Sequence, residues 1–175
     1  MVRPSDKTVL VVDDEPNVRD YLAQILVDAG FNVVTAADGS EALEMIRDHP
    51  PDFISLDLVM PKKSGHKLLY ELRRDKNLSR IPVLIVTAHA RDEMGEGDLQ
   101  DIMDNRVISG PGVYLEKPVK PLDYVRAVQR ALGIPEAPEV EDRIGLQEEL
   151  QKALPDAEPH ALRRALEALK KQGTG

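Results

Sequence analysis

The segment FISLDLVMPKKSG, residues 53–65, joins a short apolar run to an acid and a turn. The run ends at Asp57, and the Met60-Pro61 pair and Gly65 interrupt regular structure soon after it. An apolar run of this length between turn residues is typical of a buried strand. In open α/β sheets, ligands bind beyond the carboxyl ends of the strands. The segment therefore predicts a buried strand with Asp57 at its functional end, although a single Asp there could also be a turn former or a helix cap.

Strand-type apolar runs and helix-type patterns alternate along the rest of the chain. Strands are predicted at residues 8–12, 31–35, 53–57, 82–87 and 112–115, and helices at 16–29, 40–48, 64–75 and 121–132. This alternation implies right-handed crossovers, which produce a parallel sheet with helices on both faces. The predicted fold class is α/β, a flavodoxin-like, doubly wound, five-stranded parallel sheet in one domain over residues 1–133, although the sequence alone leaves the strand order open.

A short C-terminal extension follows this domain. Residues 134–140 are rich in proline and glutamate and predict a linker, and residues 141–175 predict a helical tail without a recognised output domain. An apolar stripe in the tail, at Leu162, Leu166 and Leu169, needs a cover, which could be this chain's own domain, a second copy or a partner. From Ile134 onward there are nine acidic and six basic residues, so the extension offers no basic surface for nucleic acid.

The composition excludes several classes of protein. The chain has 31 acidic and 23 basic residues and a formal net charge of −8, which argues against direct nucleic-acid binding. It has no cysteine, which excludes disulfides, thiolate metal sites and cysteine nucleophiles and fits a reducing compartment. Its first residues lack the apolar region of a signal peptide, and no apolar run approaches membrane-spanning length. We expect a cytoplasmic protein without membrane contact.

Polar residues follow four of the predicted strands where each strand ends. Asp13 and Asp14 follow the first strand and Asp57 ends the third. Thr87 ends the fourth strand, and Lys117 lies just beyond the fifth. In a flavodoxin-like order these ends share one edge of the sheet, where three carboxylates would repel one another unless a cation lies among them. Mg²⁺ fits such a site because it binds through carboxylates, keeps several waters and leaves positions open for phosphate oxygens.

The hydroxyl and the lysine extend this prediction to phosphoryl chemistry. A metal neutralises charge on a phosphoryl group, while an ammonium and a hydroxyl can each bind one of its oxygens. Asp57 would be the nucleophile, and a carboxylate needs no general base at neutral pH. Each residue also has an ordinary alternative: Asp13 and Asp14 as caps, Thr87 as a strand former, and Lys117 as a solvated loop charge.

At these positions the chain resembles the receiver domain of two-component response regulators. The resemblance covers residues 7–133 and rests on five features in order, which are Asp13-Asp14, the segment Asp57-x-x-Met60-Pro61-x-x-x-Gly65, Thr87-Ala88, Tyr114, and Lys117-Pro118. Each feature is weak alone, but five in order at compatible spacing are a specific signal.

The resemblance implies a role for each of these residues. Asp57 would accept a phosphoryl group from a sensor histidine kinase in a Mg²⁺-dependent reaction, so the protein would be a signalling phosphoacceptor rather than an enzyme acting on other molecules. Asp14 and Asp57 would hold the metal directly, Asp13 would reach it through water, and the Val59 backbone carbonyl would complete the protein ligands. The remaining implied roles are phosphoryl-oxygen binding by Thr87 and Lys117, backbone contacts to phosphate from Val59 and Ala88, and a conformational switch formed by Thr87 and Tyr114.

The resemblance leaves the output open. Signalling would pass to an unknown effector by protein–protein contact, and a homodimer is compatible with this. A phosphorelay intermediate, which passes its phosphoryl group to a histidine phosphotransfer protein, is the alternative. The chain departs from the family at residues 88–112, which form a longer, glycine-rich stretch with room for only a short helix near 99–103. Because receivers use this face for partners, dimerisation there is in doubt.

Three other functions fit parts of the pattern. The segment LVVDDE, residues 10–15, is similar to the metal-binding strand of a P-loop nucleotidase, but the sequence lacks G-x-x-x-x-G-K-[ST]. Phosphatases with an Asp nucleophile usually have a general acid two residues later, where this chain has Val59. A flavin mononucleotide binder needs a Ser/Thr/Gly-rich loop after the first strand, where this chain has acids. The sequence favours the receiver over all three.

Overall fold

A computed structural model describes residues 2–88 and 114–135 of the 175-residue chain. The chain divides into two units, Met1–Glu136 and Ala137–Gly175, and every described element belongs to the first. The predictions for residues 89–113, including the short helix near 99–103, and for most of the linker and all of the tail lie outside the described residues.

Strands and helices alternate through the described part of the chain. In chain order they are β1 (Thr8–Val12), α1 (Pro16–Asp28), β2 (Asn32–Ala36), α2 (Gly39–Asp48), β3 (Phe53–Leu56), α3 (Ser64–Arg74), β4 (Val83–Thr87), β5 (Tyr114–Glu116) and α4 (Pro121–Ala131). Single 3₁₀ turns occur at Pro4–Asp6, Pro61–Lys63 and Leu78–Arg80. Within this part of the chain, no helix combines the length and the apolar character needed to cross a bilayer.

The five strands form one parallel sheet in the order β2-β1-β3-β4-β5. This is the flavodoxin-like order, so the predicted fold class is confirmed and the open question of strand order is answered. Boundaries differ from the prediction by one or two residues. For example, β2 begins at Asn32 because the Phe31 N–H donates to the Leu26 carbonyl at the end of α1 and does not join the sheet.

Aliphatic side chains fill the face of the sheet that α2 and α3 cover. Alternate residues of a strand point to opposite faces, so each central strand contributes two residues to this core. The strand residues are Leu10, Val12, Ile54, Leu56, Val83 and Ile85, and they pack with Ala42 and Ile46 of α2 and Leu68 and Leu72 of α3. The residues between them, such as Val9, Val11 and Val86, are buried as well, so helices cover both faces of the central strands.

Asp52 ties the beginnings of β1 and β3 together. Its carboxylate accepts hydrogen bonds from the Thr8 N–H and the Lys7 Nζ, both at 2.8 Å. Its own N–H donates to the Thr8 carbonyl at 2.9 Å. These contacts lie at the opposite end of the strands from the polar residues predicted to be functional.

Candidate functional site

The candidate site lies where the direction of the strand order reverses. From β1 the sheet grows outward to β2 on one side and to β3 on the other, and ligands of doubly wound sheets bind at such a switch point. Asp13 directly follows β1, and Asp57 directly follows β3. The Asp57 N–H donates to the Val12 carbonyl at 2.9 Å, so the backbone ladder places these strand ends side by side.

Three carboxylates converge at this edge. Asp13, Asp14 and Asp57 each place one carboxylate oxygen within 4.8 Å of the others. Asp13 and Asp57 are only 1% and 4% exposed, whereas Asp14 is half-buried. Water therefore screens the repulsion between the two buried acids poorly, and the cluster needs positive charge to offset it.

Lys117 supplies one positive charge between the two buried carboxylates. Its Nζ lies 2.7 Å from Asp57 Oδ2 and 2.8 Å from Asp13 Oδ2. Its N–H donates to the Thr87 carbonyl at 3.0 Å, which sets the start of this loop beside the end of β4. The Lys117–Pro118 peptide bond is cis. One ammonium thus serves two carboxylates and leaves the three-acid cluster with an excess of negative charge.

Burial and neighbouring charges shift the pKa values of Asp57 and Lys117. Burial raises the pKa of Asp57, and the hydrogen bonds from Lys117 and the Val59 N–H offset that rise only in part. Burial alone would lower the pKa of Lys117, but the hydrogen bonds and charges of Asp13 and Asp57 outweigh it and raise the pKa. Lys117 therefore stays protonated and holds its positive charge at neutral pH.

Backbone hydrogen bonds orient both buried carboxylates. Asp57 Oδ1 accepts from the Val59 N–H at 2.9 Å, and Asp13 Oδ1 accepts from the Glu15 N–H at 3.0 Å. In each case the carboxylate bonds the N–H two residues later, which is the local turn that aspartate favours. Each acid thus presents its second oxygen, Oδ2, to Lys117.

Thr87 brings a hydroxyl to the same edge. It ends β4, is 1% exposed, and its Oγ1 has no hydrogen-bond partner among residues 2–88 and 114–135. A buried hydroxyl without a partner costs free energy, so this group is available to a ligand. Ala88 follows it and is exposed. Tyr114 begins β5, but its side chain lies outside the described residues, so its predicted switch role stays a prediction.

Gly65 lets α3 start close to the acid cluster. A Cβ at this position would collide with the carbonyl oxygen of Asp57 and with the backbone of Leu58. The first turn of α3 can therefore lie against the end of β3 only if residue 65 has no side chain. This contact gives a physical reason for the glycine eight residues after Asp57.

The donor set fits a hard divalent cation. Three carboxylates with oxygens this close, two of them sharing the single positive charge of Lys117, match the oxygen ligands that Mg²⁺ prefers. Asp13, Asp14 and Asp57 would hold the ion. Histidine and cysteine contribute nothing to this cluster in the described part of the chain, which disfavours zinc.

Sequence reasoning missed two sets of contacts around the cluster. Arg19, one turn into α1, donates from Nη1 to the Asp13 carbonyl at 2.8 Å. The Tyr124 hydroxyl on α4 is fully buried beside the Ser55 hydroxyl on β3, and burial raises the pKa of Tyr124. A polar residue at position 55 of an otherwise apolar strand was the available signal for the second set. The Arg19 contact could not be predicted, because the apolar periodicity of a helix does not show which backbone group a polar side chain binds.

Comparisons with known proteins agree with this geometry. The family model described as "Response regulator receiver domain" matches residues 9–129. The chain is 34% identical over 148 residues to hybrid signal transduction histidine kinase D of Dictyostelium discoideum, covering 85% of this chain and 9% of that protein. It is 32% identical over 129 residues to the response regulator GtcR of Aneurinibacillus migulanus, covering 72% of this chain and 48% of that protein.

Among solved structures, the chain is similar to the receiver domain of a sensor histidine kinase from Pseudomonas aeruginosa, with a TM-score of 0.62 and 29% identity. The match covers 73% of this chain and 98% of that domain, which was solved with a magnesium ion coordinated in the active site cleft. The chain spans about half, or much less, of the two curated relatives above, whereas it spans nearly all of this isolated domain.

Proposed function

This chain belongs to the response regulator receiver domain family, and we propose from that premise that Asp57 accepts a phosphoryl group from a sensor histidine kinase. The observation that carries the proposal is the buried Asp57 carboxylate, held in a cluster with Asp13 and Asp14 and ion-paired to Lys117 at 2.7 Å. Relatives in the family include response regulators and a hybrid histidine kinase, which supports two-component signalling as the setting.

The proposed reaction is a transfer between two side chains. A carboxylate oxygen of Asp57 attacks the phosphorus of the kinase's phosphohistidine, the new O–P bond forms, and the P–N bond breaks. The electron pair of the broken P–N bond stays on the imidazole nitrogen. The ring takes up a proton from solvent where it needs one, and the kinase is left with a neutral histidine. The nucleophile is the Asp57 carboxylate, which the Lys117 ammonium contacts, so no general base is required. Positioning and charge neutralisation are then the main demands on the protein.

Lys117 and Thr87 are the groups of this chain that would receive the phosphoryl oxygens. The Lys117 ammonium is already hydrogen-bonded to Asp57 Oδ2, so it lies where an oxygen of a phosphoryl group on Asp57 would come. The Thr87 hydroxyl is buried and free of partners within the described residues, and it can donate to a second oxygen. The Val59 N–H, and by family resemblance the Ala88 N–H, would contact the remaining oxygen.

The acids next to Asp57 would hold Mg²⁺. Asp14 and Asp57 are the proposed direct ligands, with Asp13 acting through water and the Val59 carbonyl as a further ligand. When bound, the ion supplies charge neutralisation for the transferred oxygens. The magnesium in the cleft of the Pseudomonas aeruginosa domain supports this assignment.

The proposed output is a protein contact made in the cytoplasm. The sequence offers no basic surface in the C-terminal extension, which supports an effector protein rather than direct nucleic-acid binding. The lack of cysteine and of a membrane-spanning helix in the described part of the chain fits a soluble partner of a kinase.

Phosphorelay is a second candidate function, and the match to a hybrid histidine kinase favours it. In a relay, the phosphoryl group on Asp57 would pass to a histidine phosphotransfer protein. The two functions differ in lifetime, because a relay needs a short-lived aspartyl phosphate and no change in affinity for an effector. Pull-downs with and without a phosphoryl mimic would separate them.

The proposed function is tested by mass spectrometry of the intact protein. With Mg²⁺ and a small phosphodonor, the wild type should gain one acid-labile phosphoryl group, and Asp57→Asn should gain none. Asp20→Asn, which changes an exposed acid on α1, is the matched control and should behave as the wild type. An undiminished gain in Asp57→Asn would overturn the proposal.

A further inference from the structure

Arg19 joins the first helix to the end of the first strand. Its side chain is half-buried, and its Nη1 donates a hydrogen bond to the Asp13 carbonyl oxygen at 2.8 Å. Its own N–H donates to the Glu15 carbonyl at 2.9 Å. Arg19 therefore bonds to both ends of the three-residue connection 13–15, which carries two of the three acids in the cluster.

Helix formation does not explain an arginine at this position. Arg19 lies one turn from the start of α1, at the end of the helix where the macrodipole disfavours positive charge. A long side chain also loses rotamer freedom when it is held in one place. The bond from a charged guanidinium to the Asp13 carbonyl offsets these costs, so the contact with the connection is the physical reason for the arginine.

The three acids of the cluster are held in different ways. The carboxylates of Asp13 and Asp57 each accept a hydrogen bond from a backbone N–H and contact Lys117. Within residues 2–88 and 114–135, no hydrogen bond or ion pair holds the carboxylate of Asp14, which is half-buried. The direction of the Asp14 side chain therefore depends on the backbone that carries it.

That backbone is fixed at the peptide group between Asp13 and Asp14. The Asp13 N–H continues the sheet ladder and donates to the Ala36 carbonyl at 3.2 Å. The Asp13 carbonyl, which belongs to the peptide group that begins Asp14, accepts the bond from Arg19. Because a peptide group is planar and rigid, holding its oxygen also sets the direction in which the next residue starts.

We propose that Arg19 is a positioning residue for the Mg²⁺ site, which acts on Asp14 through the Asp13 carbonyl. The inference rests on the metal site of the proposed function, in which Asp14 is a direct ligand of the ion. A guanidinium is cationic and cannot ligate Mg²⁺, so a favourable effect on binding has to pass through the position of an acid. Loss of a group that orients metal ligands commonly weakens metal binding by about 10–100-fold.

Charge alone predicts the opposite effect. Arg19 brings a positive charge to the end of the sheet where the acids lie, and like charges repel. Removal of that charge would tighten Mg²⁺ binding, whereas loss of positioning would weaken it. Arg19→Met distinguishes the two effects, because it removes the charge and the donors but keeps an unbranched stem. Arg19→Lys keeps the charge and can still donate to a carbonyl oxygen.

Calorimetric titration of the full chain with Mg²⁺, after treatment with a chelator and without a phosphodonor, tests the inference. Arg19→Met should raise the Kd for Mg²⁺ about tenfold, and Arg19→Lys should stay within about threefold of the wild type. Arg47→Met is the matched control and should bind as the wild type does, since it removes an exposed arginine on α2. Thermal unfolding of each variant identifies a temperature at which all of them are folded.

The phosphodonor reaction provides a second measurement. Arg19→Met should need about tenfold more Mg²⁺ to reach half of its maximal rate, but its rate at saturating Mg²⁺ should stay within about twofold of the wild type. A merely structural role would lower the unfolding temperature and leave the Kd for Mg²⁺ unchanged.

The outcomes separate this inference from the proposed function. A folded Arg19→Met protein that binds Mg²⁺ as tightly as the wild type, or more tightly, would overturn the inference alone. Weaker Mg²⁺ binding in Arg19→Met, without any phosphoryl gain in the wild type, would support the inference and overturn the proposed role of Asp57. A wild type that binds no Mg²⁺ would overturn both the inference and the proposed metal site.

Discussion

At the scale of single residues, the acid cluster lowers the stability of the fold but provides the negative charge that the proposed function needs. Asp13, Asp14 and Asp57 lie together, and within residues 2–88 and 114–135 Lys117 is the one cation paired with them, through Asp13 and Asp57. The excess negative charge raises the free energy of the folded state, and it is the same charge that would attract a divalent cation. Active sites commonly hold such destabilising groups.

Asp14→Asn should therefore stabilise the protein when a chelator is present. We expect the free energy of unfolding to rise by about 1 kcal/mol, or Tm by about 2–4 °C, because one like charge is removed from the cluster. The wild type should gain stability on adding Mg²⁺, and the variant should gain much less. Calorimetry in chelator and in Mg²⁺ measures both changes. Asp20→Asn is the control, and an equal Mg²⁺ response in Asp14→Asn would remove Asp14 from the metal site.

Val59 should govern the lifetime of an aspartyl phosphate. It follows Asp57 by two residues, is half-buried, and holds the Asp57 carboxylate through its N–H while its side chain offers no hydrogen bond to an attacking water. Slow self-dephosphorylation follows from this. Val59→Asn should release phosphate severalfold faster, whereas Val59→Ala, which removes bulk without adding a polar group, should not. The rate of phosphate release after removal of the donor decides this, and equal rates in all three proteins would contradict it.

At the scale of elements, the site depends on how closely α3 approaches β3. Gly65 permits the contact between the first turn of α3 and the Asp57 carbonyl. The helix in turn supplies Leu68 and Leu72 to the core, so its position is fixed on both sides. Any side chain at residue 65 must push the helix away from the strand end or shift the loop that carries Asp57.

Gly65→Ala should lower both stability and the rate of phosphoryl gain. The expected loss is about 1–3 kcal/mol, the usual cost of overpacking a tight contact. Ser64→Ala changes the neighbouring residue without a backbone collision and serves as the control. Chemical denaturation and the phosphodonor reaction measure the two effects. A Gly65→Ala protein as stable and as reactive as Ser64→Ala would show that the close contact is unimportant.

The other end of the sheet has a pH-dependent contact. Burial alone would raise the pKa of Asp52, but hydrogen bonds from Lys7 and the Thr8 N–H, with the Lys7 charge, outweigh it and lower the pKa below 3.8. A carboxyl with a lowered folded-state pKa adds stability above its unfolded pKa and loses it as the pH falls through the folded value. Asp52→Asn should thus be less stable than the wild type at pH 7, and the difference should shrink below about pH 4.

Thermal unfolding at a series of pH values measures this difference. Asp48→Asn, which changes an exposed acid at the end of α2, is the control and should show a smaller difference at pH 7. Because Asp52 is about one-third exposed, solvent screens the pair and we expect a modest effect. A gap between wild type and Asp52→Asn that persists unchanged at pH 3 would contradict the assignment.

At the scale of the whole molecule, the fold class was predicted from sequence patterns alone, without any distance between residues. Alternating strand and helix signals predicted a doubly wound sheet, and the rule that parallel strands end on one edge predicted that Asp13, Asp14 and Asp57 would meet. The spacing at which apolar residues recur predicts the strands and helices, because it shows which residues face the core. The strand order was left open, since it depends on contacts between distant segments.

The contacts that sequence patterns missed are the ones that join distant segments. Arg19 on the Asp13 carbonyl and the burial of Tyr124 beside Ser55 each depend on how two elements pack against each other. The domain boundary near residue 133, the linker and the helical tail stay predictions, as does the switch role of Tyr114.

Mapping the phosphorylated residue tests the central claim most directly. After reaction with a small phosphodonor and Mg²⁺, borohydride reduces an aspartyl phosphate to homoserine, and peptide mass spectrometry locates the altered residue. We predict that homoserine replaces Asp57 alone, with Asp13 and Asp14 unchanged, and that chelation of Mg²⁺ strongly reduces the yield. Conversion at another acid with Asp57 intact, or a stable phosphoryl group on a serine, threonine or histidine, would contradict the assignment of Asp57 as the phosphoacceptor.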